Sequence, residues 1–190
     1  MDSSFVVGGS NEIGEFFEVV NIGDEDAVMA RVSLSFSSPD NVDFSDSWGV
    51  LPGGVRLPPD AFYLIHRGDT PGKDFEMTIP STRRYDVNVG NGLSNTEFRR
   101  ADLVYDGEVH DSIFWKGGDL QICTSGGDLP SCPPAELVVI EGTEGSSFFL
   151  RDGSRTPEDS NKADAWCLSS KVYVNGLNGY PGIRNPDVCP

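Results

Sequence analysis

The chain has 190 residues, with 30 Asp and Glu against 14 Lys and Arg and a formal net charge of -16. That length is one ordinary domain with a real core, read as residues 1–190, and that charge repels phosphate backbones and anionic lipid, which argues against direct nucleic-acid binding. With 11 Phe, 22 Gly and 13 Pro, the composition suits short strands joined by tight turns, so an all-β fold is expected.

Residues 5–9 read as a short edge strand ending at Gly8-Gly9. The stretch 14–24 is the organising one. Phe17 and Val19 share a face, aromatic and β-branched residues dominate, and Gly23-Asp24-Glu25-Asp26 supplies a polar turn. In the run 27–36, Val28, Ala30, Val32, Leu34 and Phe36 fall on one face and Met29, Arg31, Ser33 and Ser35 on the other, the period of a half-buried strand. Residues 37–47 read as an acidic loop broken by Pro39, Asn41, Asp43 and Asp46. Trp48 and Val50 begin a brief strand, 51–60 is a wide turn, and another strand starts at Ala61.

Prolines and glycines make 68–95 ragged, with short strands expected near 75–79 and 85–89. The clearest hairpin joins 101–105 to 108–114 through Asp106-Gly107, a dipeptide that tolerates the positive φ angles of a type I′ turn. Further strands are expected at 120–123, 137–140 and 148–151. Beyond Asp152 the chain has turn chemistry apart from 166–168 and 171–174, which predicts a coil-rich C-terminal segment.

Cys123, Cys132, Cys167 and Cys189 form no C-x-x-C pair, and neither His66 nor His110 is spaced from them as in a zinc finger. Four cysteines allow three pairings, with reduced buried thiols as the alternative. Cys123 with Cys132, around a turn-rich loop, and Cys167 with Cys189, tying down the C-terminal segment, is the favoured arrangement. Disulfides imply export. Met1-Asp2-Ser3-Ser4 lacks the basic and apolar regions of a signal peptide, so an exported chain would have lost its leader. No stretch is apolar enough to span or insert into a membrane.

Glu18, in an apolar strand, and Asp111, in the hairpin, are expected to anchor backbone or an Arg rather than to act as an acid/base pair. Asp159, Asn161 and Asp164 place side-chain oxygens at short intervals on one loop, as hard cations require, which makes them candidate calcium ligands. Asx-turns and a helix N-cap at Asp159 or Ser160 explain the same composition without metal. No cofactor is implied: Gly90-Asn91-Gly92 lacks the third glycine of a nucleotide loop, and no catalytic signature accompanies His66 or His110. Trp48, Trp115, Trp166, Tyr63, Tyr105 and Tyr173 could line a carbohydrate or peptide face if exposed, and otherwise pack the core.

Glu15-Phe16-Phe17-Glu18-Val19-Val20-Asn21 with Gly23-Asp24, then Leu57-Pro58-Pro59 before Phe62-Tyr63-Leu64-Ile65, then Leu93-Ser94-Asn95, Leu103-Val104-Tyr105-Asp106-Gly107 and Val109-His110-Asp111-Ser112-Ile113 run in an order that resembles the lamin tail domain. Phe148-Phe149-Leu150-Arg151, Asp159-Ser160-Asn161-Lys162-Ala163-Asp164-Ala165-Trp166 and Tyr180-Pro181-Gly182-Ile183-Arg184-Asn185-Pro186 are similar to the closing signature of that family's bacterial branch. Phe36 stands where the family often has Trp, and 37–47 and 123–134 are longer than in its compact members. The resemblance implies an immunoglobulin-like β-sandwich with irregular loops. It also implies a non-catalytic attachment module of a secreted or cell-surface protein, facing a protein or cell-surface polysaccharide partner. The rival expectations are a calcium-assisted secreted hydrolase or nuclease, or its accessory domain, and a purely structural wall component.

Overall fold

A computed structural model describes residues 3–7, 15–48, 54–67, 84–87, 97–126, 129–142, 146–151, 156–169, 172–174, 177–178 and 189. The first strands are β1 (Ser3–Val7), β2 (Glu15–Val20), β3 (Ala27–Val28), β4 (Val32–Ser38), β5 (Asn41–Trp48), β6 (Arg56–Leu57), β7 (Phe62–Arg67) and β8 (Arg84–Val87). They are followed by β9 (Arg99–Tyr105), β10 (Glu108–Lys116), β11 (Asp119–Cys123), β12 (Leu137–Ile140), β13 (Ser146–Leu150), β14 (Trp166–Leu168), β15 (Val172–Val174) and β16 (Leu177–Asn178). The one α-helical element among the described residues is α1 (Pro157–Ser160), a single turn.

Two six-stranded sheets carry the fold, in the orders β14-β13-β1-β2-β7-β8 and β12-β11-β10-β9-β4-β5. Neighbours are antiparallel except β7 and β8, which run parallel. The chain crosses repeatedly between the sheets, so strands distant in sequence become neighbours, as β4 and β9 do. Phe17, Tyr63, Ile65, Phe148 and Leu150 of the first sheet and Leu34, Phe36, Leu103, Ile113, Trp115 and Ile122 of the second share one buried core. The Phe17 ring joins them, 5.6 Å from the Phe36 centroid and 6.5 Å from Trp115. Those separations suit tilted aromatic pairs. The expected all-β sandwich is what these sequences build.

Several elements differ from expectation for identifiable reasons. β1 is not an edge: it lies inside the first sheet, paired with both β2 and β13. β2 is buried on both faces, with Glu18 and Val20 as inaccessible as Phe17 and Val19. The run 27–36 is not one strand. Its start pairs with β6, and a 3-10 turn at Met29–Arg31 then carries the chain across to β4. That turn breaks the two-residue period, which is why Met29, assigned to the polar face, is fully buried. Asn21 holds the preceding turn: its Nδ2 donates to the carbonyls of Glu25 (2.7 Å) and Leu57 (2.8 Å), and its Oδ1 accepts from Gly23 N–H (3.0 Å).

The acidic loop expected at 37–47 is a hairpin instead, because β5 pairs with β4 beyond the turn at Pro39-Asp40. Val42, Phe44, Asp46 and Trp48 alternate with Asn41, Asp43, Ser45 and Ser47. Asn41, Asp43 and Ser45 are exposed, as the outer residues of a strand at a sheet's end should be. The β9–β10 hairpin is as expected. Asp106 and Gly107 have φ of 53° and 85°, and a register shift separates Val109 from Asp111.

Cys123 is bonded to Cys132 and Cys167 to Cys189, with Cα atoms 5.8 and 5.2 Å apart, the favoured pairing. These bonds point to maturation in an oxidising environment. No described helix is long and apolar enough to cross a membrane. The strand expected at 75–79, the residues Val50 and 88–89, and about half of the coil-rich C-terminal segment lie outside the described residues.

Candidate functional site

The loop carrying Asp159, Asn161 and Asp164 is organised by capping. Thr156 is the N-cap of α1, a correction to the expectation of Asp159 or Ser160, and Asp159 is the third helical residue of a reciprocal capping box. Pro157 at the first helical position cannot donate a main-chain hydrogen bond, and none is needed there. Asp159 Oδ2 accepts from Thr156 N–H (3.2 Å) and Oγ1 (3.0 Å), and Asp159 Oδ1 accepts from Lys162 Nζ (2.6 Å). The Lys162 hydrogen bond, foremost, and the Thr156 donors hold the Asp159 carboxyl below the usual carboxylate range.

Asn161 sits against Gly126, its Nδ2 at 3.4 Å from where a Gly126 Cβ would be. Asp164 is exposed, in the first turn of a separate 3-10 element, Ala163–Ala165. Asp159 and Asp164 belong to no group of three His, Cys, Asp or Glu placed to hold a metal ion among the described residues. Both oxygens of Asp159 are already engaged, Oδ2 by the cap and Oδ1 by Lys162.

The two histidines are on different sheets, His66 in β7 and His110 in β10. His110 is exposed and meets Tyr105 edge-on at 5.8 Å. Glu18 and Asp111 are both buried, at 2% and 8% exposure. Asp111 Oδ1 accepts from Ser112 N–H (2.8 Å), which holds the backbone just past the register shift in β10. Of the aromatics, Tyr63, Trp115 and Trp166 are core residues, so they form no exposed recognition face.

What the structure adds lies on the outer face and free side of the second sheet. Phe98, Phe114, Cys123, Leu129 and Cys132 make a satellite apolar cluster there, closed by the Cys123–Cys132 bond and separate from the main core. Arg100 and Lys116 lie over its rings, 5.3 Å from the Phe114 centroid and 5.7 Å from that of Phe98. Beside it runs β12, whose partner is β11 and whose other side pairs with no strand among the described residues.

Leu137 and Val139 of β12 are 39% and 46% exposed. The main-chain geometry singles out the same two residues. Thr124 N–H donates to the Glu136 carbonyl (3.0 Å), and in an antiparallel ladder successive residues of a strand turn their N–H and C=O to opposite sides. Glu136, Val138 and Ile140 therefore bond to β11, while Leu137 and Val139 direct N–H and C=O to the free side. The strand ends where Gly142 N–H donates to Asp119 Oδ1 (2.9 Å). Any side chain on Gly142 would collide with the Gly118 carbonyl.

An unbroken Leu-Val-Val-Ile run does not announce an edge in sequence, since buried strands look the same. No family model matches this chain, and no curated protein is similar to it at a significant level.

Proposed function

We propose that this chain is a non-catalytic attachment module of a secreted or cell-surface protein, a lamin-tail-like sandwich that recognises another macromolecule. The observation that carries the reading is β12. It is a strand with no charged residue, half its side chains exposed and half its main-chain groups directed away from the sheet. Soluble proteins ordinarily protect such an edge with charge, proline or a covering segment, and recognition by strand addition uses one left open. The two disulfides support export, and an acidic surface keeps the module soluble. The motif order that resembles the lamin tail domain supports the same adaptor role. Asp159 serves α1 in this reading, and calcium is not needed for it.

Arrayed extended peptides and cell-surface polysaccharides test the proposal, with the mass of each probe checked after incubation. The expected result is saturable binding in at least one class with every probe unchanged. Conversion of a probe to product, or saturable binding to none, overturns it.

A further inference from the structure

The sequence around β12 is acidic at both ends of the strand, and that narrows what can occupy its free side. From Gly117 to Leu150 the sequence contains Asp119, Asp128, Glu136, Glu141 and Glu144 and no Lys, Arg or His. Glu136 and Glu141 flank the strand directly. We propose that β12 is a strand-addition site for an extended segment of another protein, alternating in apolar residues and carrying Lys or Arg at both ends. This deepens the attachment reading and rests on it.

The occupant would accept from the Leu137 and Val139 N–H groups and donate to their carbonyls. Its apolar side chains would lie beside Leu137 and Val139, and beyond them stands the satellite cluster around Phe114 and Cys123. Its basic ends would face Glu136 and Glu141, since opposite charges across paired strands attract and like charges repel. The same rule weighs against a second copy of this chain. Antiparallel pairing of two β12 strands through the outward groups of Leu137 and Val139 centres on Val138 and sets Glu136 of each copy opposite Ile140, one residue from Glu141 of the other, in a protein of net charge -16.

The test uses the full oxidised chain and two synthetic peptides with the same alternating Val-Thr core, one flanked by Lys and one by Glu. Titration is followed by amide NMR shifts. The Lys-flanked peptide is expected to bind at least tenfold more tightly, with the largest shifts at Leu137 and Val139. Val139→Pro removes only an outward N–H, and Leu137→Lys places a like charge against the peptide's ends. Each is expected to weaken binding at least tenfold with an unchanged melting temperature. Leu137→Lys keeps the test valid should the proline variant fold poorly.

Equal affinity for the two peptides, or binding that survives both variants, overturns the β12 assignment while leaving the attachment reading in place. Binding of no peptide beside saturable polysaccharide binding does the same. Concentration-dependent dimerisation abolished by Leu137→Lys would give the edge to a second copy and equally overturn the proposal.

Discussion

β5 and β12 close opposite sides of one sheet, and they meet solvent in opposite ways. β5 presents Asn41, Asp43 and Ser45, has Asp46 and Ser47 in its length, and follows a Pro-Asp turn. β12 presents Leu137 and Val139 and contains nothing polar. A polar, acidic edge resists pairing with other strands, and an apolar one invites it. The difference does not come from the core. β4 behind β5 contributes Leu34 and Phe36, and β11 behind β12 contributes Leu120 and Ile122, all to the same buried cluster. Edge chemistry in this molecule is therefore a property of single outer strands, and one sheet carries a polar and an apolar side together.

The largest expected effects test whether both sides are equally well backed. Phe36→Ala should cost about 4 kcal/mol and Ile122→Ala about 3 kcal/mol in urea unfolding. A much smaller loss at Ile122 would mean that β12 is loosely supported, and its exposure would then reflect weak packing.

Next comes the staple beside β12. Replacing Cys123 and Cys132 with Ser should cost about 2.5 kcal/mol by loop-closure entropy. Amide exchange should rise in β11 and β12 while β5 keeps its protection. Equal loosening of both edges would break the contrast.

The α1 cap lies near the β12 side through Asn161 and Gly126. Thr156→Ala should cost about 1 kcal/mol. Because the folded Asp159 carboxyl titrates below its usual range, its contribution is complete above the unfolded value of about 3.9. It is lost as pH falls through the lower folded value. Acid melts should therefore show the gap between Thr156→Ala and the parent protein narrowing at low pH without closing, because the Asp159 N–H bond to Thr156 Oγ1 does not titrate.

The smallest change in stability, within about 0.5 kcal/mol, is expected from exchanging edge chemistry with Val139→Lys and Asp43→Val. Dye-reported exposed apolar surface should fall in the first variant, and self-association in sizing runs should rise in the second. No change in either would show that edge composition is not what separates β5 from β12.

What could be read from the sequence was local chemistry. Asp106-Gly107 specifies its turn through the positive φ it tolerates, and the nine-residue spacing of Cys123 and Cys132 around Gly and Pro suits a small closed loop. Phe17, Val32, Leu34 and Phe36 were recognisable as core from their period. Pairing decided the rest. β5 hid behind a polar, acidic composition in which Asn41, Asp43 and Ser45 are the exposed residues, and Met29 moved inward because a 3-10 turn interrupts the alternation. The candidate metal loop was visible only as composition; that one oxygen of its carboxylate closes a capping box with Thr156 and the other takes Lys162 depends on how the chain folds back there. That β12 is an edge depends on what pairs with β11, which no property of Leu-Val-Val-Ile encodes.

The Cys167–Cys189 bond also settles how this sandwich would carry tension. A pull on Pro190 would reach β14 through covalent sulfur at Cys167, so the connection 169–188 is bypassed while the bridge is oxidised. Force then falls on the three residue pairs that join β14 to β13. Opening the bridge would put the intervening chain in the line of tension, with a fully extended reach of roughly 70 Å. Redox state would thus decide whether the molecule behaves as a stiff link or a slack one.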